Sequence, residues 1–219
     1  MSPGSREFQA EVARVALAVA RDHGFALAGG NALAVHGIIS RPTEDIDLFA
    51  PGDGAVQAAA GLVAAALAEA GFSVADVTSG SDLAETFDGF DREMTDFEVS
   101  RGAQAVQLQL VRFHRNHPAV MMDIGPVLHL DDLLGTKVSA MATRAEPRDY
   151  MDVAAALRTY DRRYLLELAR RADPDLVDEE FAEAMQRLDR LPDNVLREPY
   201  QLTPAQIRDL RAAFSDWPR

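Results

Sequence analysis

Two aspartates, Asp45 and Asp47, flank a single isoleucine in the otherwise apolar run "DIDLFA". In a strand, residues two apart point to the same face. Both carboxylates therefore project together, while Ile46 and Leu48 enter a core. Acids held side by side repel unless a cation lies between them. Hard oxygen ligands on a rigid strand suit Mg²⁺, with Mn²⁺ as an alternative, because such an ion takes one or two carboxylates together with substrate phosphates. The plainer alternative is a strand end in solvent that carries two acids. Gly29-Gly30, fifteen residues before Asp45, stands where a short apolar strand gives way to a helix. A backbone without side chains approaches a ligand closely, and free N–H groups at a helix start favour phosphate; a tight turn serving geometry alone is the competing reading. A phosphate-cradling turn and a metal-binding strand together make one site for a nucleoside triphosphate and its metal.

A second group of residues follows later in the chain. Of 22 basic residues, Lys137 is the only lysine. It sits among small and apolar neighbours in "LLGTKVSAMA", and Arg144 follows two helical turns later on the same face. A lysine there is a compact charge suited to triphosphate oxygens, or else a surface side chain snorkelling to water. Asp152 lies within one helical turn of Arg148 and Asp149, so all three can line one face, with an Arg148–Asp152 surface pair as the plain alternative.

These residues need elements to hold them. Phe8, Val12, Val15 and Val19 predict an amphipathic helix over 7–22. "FALA" (25–28) predicts a buried strand, and "NALAVHG" a helix capped by Asn31 and stopped at Gly37. Residues 45–50 read as a strand, "PGDG" as a turn, and 55–70 as a helix closed by Gly71. Segments 72–77, 97–101 and 105–113 alternate like strands of one antiparallel sheet. Past Pro126 the pattern turns helical: from an Asp131 cap to about Thr143, from Pro147 to about Tyr160, then over 161–172, 175–190 and 204–214. The expectation is an α/β (α+β) core over 1–125 with a mixed or antiparallel sheet, then a helical region over 126–219.

Composition narrows the function classes. An apolar fraction of 47% supports a full core, and no apolar run is long enough for a membrane span. The opening "MSPGSREF" has no apolar stretch of the signal-peptide kind, and there is no cysteine for a disulfide or thiolate metal site. A cytoplasmic protein is expected. A net charge of −13 argues against broad nucleic-acid affinity while leaving room for a local basic cleft.

The pattern "GG…ALA.HG…R.T.DIDLF" resembles the signature of DNA polymerase β-type nucleotidyltransferases, in the form found in the AbiEii/AbiGii toxin group. "LDDLLGTKVSAMATRAEPRDYMDVAAAL" resembles that group's later motifs, a helix with Lys and Arg followed by Arg-Asp-x-x-Asp. The resemblance spans residues 27–157; the last sixty residues add nothing to it. It implies Asp45 and Asp47 as catalytic metal ligands, Lys137 and Asp152 as catalytic partners, and Gly29, Gly30, Arg41, Thr43, Lys137 and Arg148 at the nucleotide. It also implies a toxin that transfers a nucleoside monophosphate from a nucleoside triphosphate to an acceptor hydroxyl, at the 3′ end of tRNA or on another RNA, and that is opposed by a cognate antitoxin. Arg112, His114, Arg115 and His117, with Arg158, Arg162, Arg163, Arg170 and Arg171, are candidates for a basic wall contacting that acceptor; pairing with the chain's acids is the alternative. An antibiotic-modifying transferase and a catalytically silent nucleotide-binding module share the same core and remain open. One departure stands out: where such enzymes carry a third carboxylate, this chain has Gln109. Either Asp96 or Asp123 substitutes, or the site works with two carboxylates.

Overall fold

The computed structural model describes residues 3–78 and 93–219, which divide into two compact units between His129 and Leu130. In the first unit, helix α1 (Pro3–Ala20) runs through a short 3-10 turn into strand β1 (Ala26–Leu27). Helix α2 (Gly29–Val35), β2 (Asp45–Ala50) and α3 (Ala55–Glu69) follow. Strands β3 (Ser73–Asp76), β4 (Met94–Arg101), β5 (Gln104–Arg112), β6 (Val120–Met122) and β7 (Gly125–Val127) complete it.

The sheet is mixed, in the order β3-β4-β5-β2-β1-β7-β6. The expected antiparallel run of three strands is present as β3-β4-β5, but β5 then joins β2 in parallel and β1 joins β7 in parallel. Strand β2 alternates as its sequence requires: Ile46, Leu48 and Ala50 are fully buried and the residues between them are half-buried. Leu108 and Leu110 of β5 continue that core face, and α1 and α3 pack on each other and on the sheet.

Two local expectations are corrected. Helix α2 starts at Gly29 behind Ala28, which offers no side-chain cap, and Asn31 lies inside the helix and turns its amide inward. Gly29 makes this possible: its φ of +59° lets the chain leave β1 directly into the helix. Strands β6 and β7 also carry the sheet to Val127, past the predicted end of the α/β core.

The second unit comprises α4 (Leu130–Thr143), α5 (Pro147–Ala156), α6 (Arg162–Ala172), α7 (Asp178–Arg190), α8 (Asp193–Tyr200) and α9 (Pro204–Ala212). Asp131 is in the first turn of α4, where it accepts a 2.8 Å hydrogen bond from the Tyr164 hydroxyl and pushes that phenol up to about 12. Tyr150 donates to the Ala184 carbonyl at 2.7 Å and meets Phe214 edge-on, while Trp217 packs against Phe214 and Phe181.

Gly135 sets how closely α4 and α6 approach. A Cβ there would stand 2.6 Å from the Leu168 carbonyl oxygen and 3.1 Å from the Ala172 methyl. Alanine is intrinsically better in a helix by about 1 kcal/mol, but the obstruction is backbone and cannot swing aside. Gly135→Ala is therefore expected to destabilise by about 1–3 kcal/mol, read as a lower Tm in thermal unfolding. An unchanged or raised Tm would show that the helices separate at no cost.

Candidate active site

Asp45 and Asp47 occupy the middle strand of the first unit's sheet. The register sets Asp47 beside Gln109 of β5, and Gln109 beside Asp96 of β4; the next row on the same face is Asp45, Gln107 and Glu98. One face of three adjacent strands is thus apolar and buried, and the other carries carboxylates and amides.

The turn after β1 is fitted against Asp47. A Cβ on Gly29 would lie 1.7 Å from Asp47 Oδ2, so no other residue can stand there without displacing the carboxylate. The Ala28 N–H donates to the Asp47 carbonyl at 2.8 Å, and Asn31 Nδ2 donates to the Asp45 carbonyl at 2.7 Å. The start of α2 is therefore pinned to the backbone at both aspartates. Behind it, Thr43 Oγ1 lies 3.0 Å from Asn31 Oδ1 and 3.0 Å from Gln9 Oε1, and its single proton serves one of them at a time. Gln9 Nε2 donates in turn to the Thr43 carbonyl at 3.0 Å.

Thr43 is only 5% exposed, so its hydroxyl braces the site from within. A Cβ on Gly30 would meet the Thr43 methyl at 2.8 Å and come within 3.7 Å of the Arg41 guanidinium, which places that cation beside the first turn of α2. Arg41 also donates to the Pro42 carbonyl at 2.9 Å. Gln9 is the residue that sequence reasoning missed: it lies thirty-four positions from Thr43, and nothing local marks it.

Two half-buried carboxylates on one strand face, with bare backbone against one of them, form a hard oxygen donor set that fits a divalent cation of the Mg²⁺ or Mn²⁺ type. Asp96 is the candidate third acid that stands in their row, through Gln109; Asp123 lies in the turn between β6 and β7.

In the second unit, Lys137 Nζ lies 3.0 Å from Asp152, whose side chain is fully buried, and Lys137 itself is 14% exposed. Arg144 grips Asp149 through two bonds of 3.1 and 2.7 Å, and Asp149 also accepts from the Glu146 N–H that opens α5. This contact raises the Arg144 pKa further. Arg148 donates to Glu146 at 2.8 Å.

Several residues of the expected basic wall face acids. Arg112 contacts Asp53 and Glu93, both at 2.7 Å. Arg162 contacts Asp216, Arg170 contacts Asp178, and Arg171 pairs with Glu167. Arg115 donates to the Gly24 carbonyl at 3.3 Å. His36 is bound to the Leu128 carbonyl at 3.0 Å, and the His117 and His129 rings stack 4.4 Å apart.

The fold is shared with solved structures. JHP933 from Helicobacter pylori superimposes with a TM-score of 0.62 at 14% identity, covering 97% of this chain and 91% of that one. The nucleotidyltransferase toxin MenT4 (Rv2826c) from Mycobacterium tuberculosis H37Rv superimposes with a TM-score of 0.60 at 17% identity, covering 92% of this chain and 80% of that one. No curated protein sequence matches. The family described as "Nucleotidyl transferase AbiEii toxin, Type IV TA system" matches residues 12–217, so the chain belongs to that family and is a nucleotidyltransferase. The match also takes in the C-terminal helices that the sequence motifs left unassigned. Membership implies an antitoxin partner and a nucleoside triphosphate substrate, and such enzymes generally use a divalent metal. Among the described residues, no helix is long and apolar enough to cross a membrane.

Proposed function

We propose that this toxin transfers a nucleoside monophosphate from a nucleoside triphosphate to the 3′-terminal hydroxyl of tRNA, using Mg²⁺ held by Asp45 and Asp47. The acceptor oxygen forms a bond to the α-phosphorus, the bond to the β-phosphate bridge breaks, and pyrophosphate leaves as the acceptor proton is lost. The metal would supply charge stabilisation at the phosphoryl oxygens. The chain's own residues do the rest by positioning. The Asn31–Thr43–Gln9 bracket fixes the glycine turn against the aspartates. Gly29, Gly30 and Arg41 are assigned to phosphate, with Thr43 bracing them. Lys137, oriented by Asp152, and Arg148 are assigned to the triphosphate.

The observation that carries this reading is the glycine forced on position 29 by the Asp47 carboxylate. A turn serving geometry alone has no need to meet an acid so closely. A small-molecule acceptor is the second reading, and the ion-paired arginines favour it, because they remove charge from the expected acceptor wall.

The test is incubation of the pure protein with each nucleoside triphosphate, labelled on the α-phosphate, together with total RNA and an aminoglycoside. Label on tRNA-sized RNA in Mg²⁺, abolished by a chelator, is the expected result. Label confined to an aminoglycoside or to protein would overturn the RNA acceptor.

A further inference from the structure

Gln109 occupies a position that a simple sheet face would leave to chance. Its register neighbours on both sides are aspartates, Asp47 on β2 and Asp96 on β4, and all three side chains project from one face. The primary amide has two unlike ends, a donor –NH₂ and an acceptor oxygen, whereas an ionised carboxylate only accepts. Gln109 is within hydrogen-bonding reach of the Asp96 carboxylate, and an ionised carboxylate can be served only by the –NH₂ end. With Nε2 turned toward β4, Oε1 is left for the other side of the row, where Asp47 stands.

Asp96 is an expensive residue to keep for packing. Its Oδ1 is buried with no hydrogen-bond partner among the described residues. Burial raises its pKa, with Asp76 adding to the rise and the Gln109 amide opposing it. A neutral Asn or Thr would fill the same strand position without the desolvation cost.

We propose that Gln109 Oε1 is a neutral third oxygen ligand for the metal of Asp45 and Asp47, and that Asp96 is a positioning residue that fixes the Gln109 amide with its oxygen toward that metal. This rests on the reading that Asp45 and Asp47 hold the ion. Its consequence is a site with two negative charges, which a single divalent cation neutralises.

Mn²⁺ binding to the protein without nucleotide, followed by electron paramagnetic resonance, tests this without any turnover. Gln109→Ala is expected to weaken Mn²⁺ by about 10-fold or more, because it removes a ligand. Asp96→Asn is expected to weaken it by about 10-fold, the usual effect of losing a partner that orients a ligand, while Tm stays the same or rises. Gln109→Glu combined with Asp96→Asn should tighten Mn²⁺, since it adds a carboxylate ligand and removes the acid that would repel it. Unchanged affinity in Gln109→Ala or in Asp96→Asn, with Asp47→Asn weakened, would overturn this inference and leave the two-aspartate reading standing. Unchanged affinity in Asp47→Asn would remove both together.

Discussion

Asp47→Asn is expected to yield a folded protein whose nucleotidyl transfer is slower by at least about 10²-fold, since metal positioning supplies several kcal/mol of transition-state stabilisation. Asparagine keeps the size of the side chain, so the close fit against Gly29 survives and only the charge is lost. Stability should hold or rise slightly, because one of two like charges on a strand face is gone. The comparison is the rate at saturating triphosphate and Mg²⁺, alongside circular dichroism and Tm for both proteins. Wild-type activity in the variant would end the assignment of Asp47 as a metal ligand.

Lys137→Ala is expected to lower stability by about 3 kcal/mol, the scale on which breaking a buried ion pair operates. From sequence, alanine looks harmless at this position, being the better helix former. The structure reverses that expectation: the ammonium lies 3.0 Å from a carboxylate with no solvent exposure, so its removal takes a cationic partner from a buried charge. Adding Asp152→Asn to Lys137→Ala should recover most of the loss by removing that charge. Urea unfolding of the two single variants, the double variant and the parent gives the coupling energy. Independent, additive effects would show that Asp152 is compensated elsewhere.

What the sequence showed well was whatever depends on near neighbours. Strand β2 matches its predicted limits of 45–50, because alternation of Ile46, Leu48 and Ala50 against polar positions admits one reading. Helix α3 closes where Gly71 can take a φ of +85°. The aspartate pair and the glycine turn were legible for the same reason. What was hidden depends on distant partners. β7 is three residues long, contains Pro126, and joins the rest of the sheet only where Val127 pairs with Leu27, about a hundred residues earlier. Helix α8 ends with Pro199 in its last turn, a residue that argues against a helix in any local window. Asn31 has a typical cap residue's chemistry, and only the position of Asp45 and Thr43 in space diverts it inward. The arginines from the end of β5 onward look basic in one dimension; Asp53 and Glu93, far apart in sequence, neutralise the first of them, Arg112.

The place of β2 in the sheet bears on how such a toxin can be silenced. It is the middle strand, hydrogen-bonded to β1 on one side and β5 on the other, while β3 and β6 form the rims. Amide protons in such a strand exchange with solvent only through opening of the whole unit, whereas rim strands fray at little cost. An inhibitor that worked by melting the aspartate strand would oppose the full unfolding free energy of a domain, about 5–15 kcal/mol. One that masks or chemically alters the polar face of that strand meets no such opposition, and leaves behind a protein that is intact but disarmed.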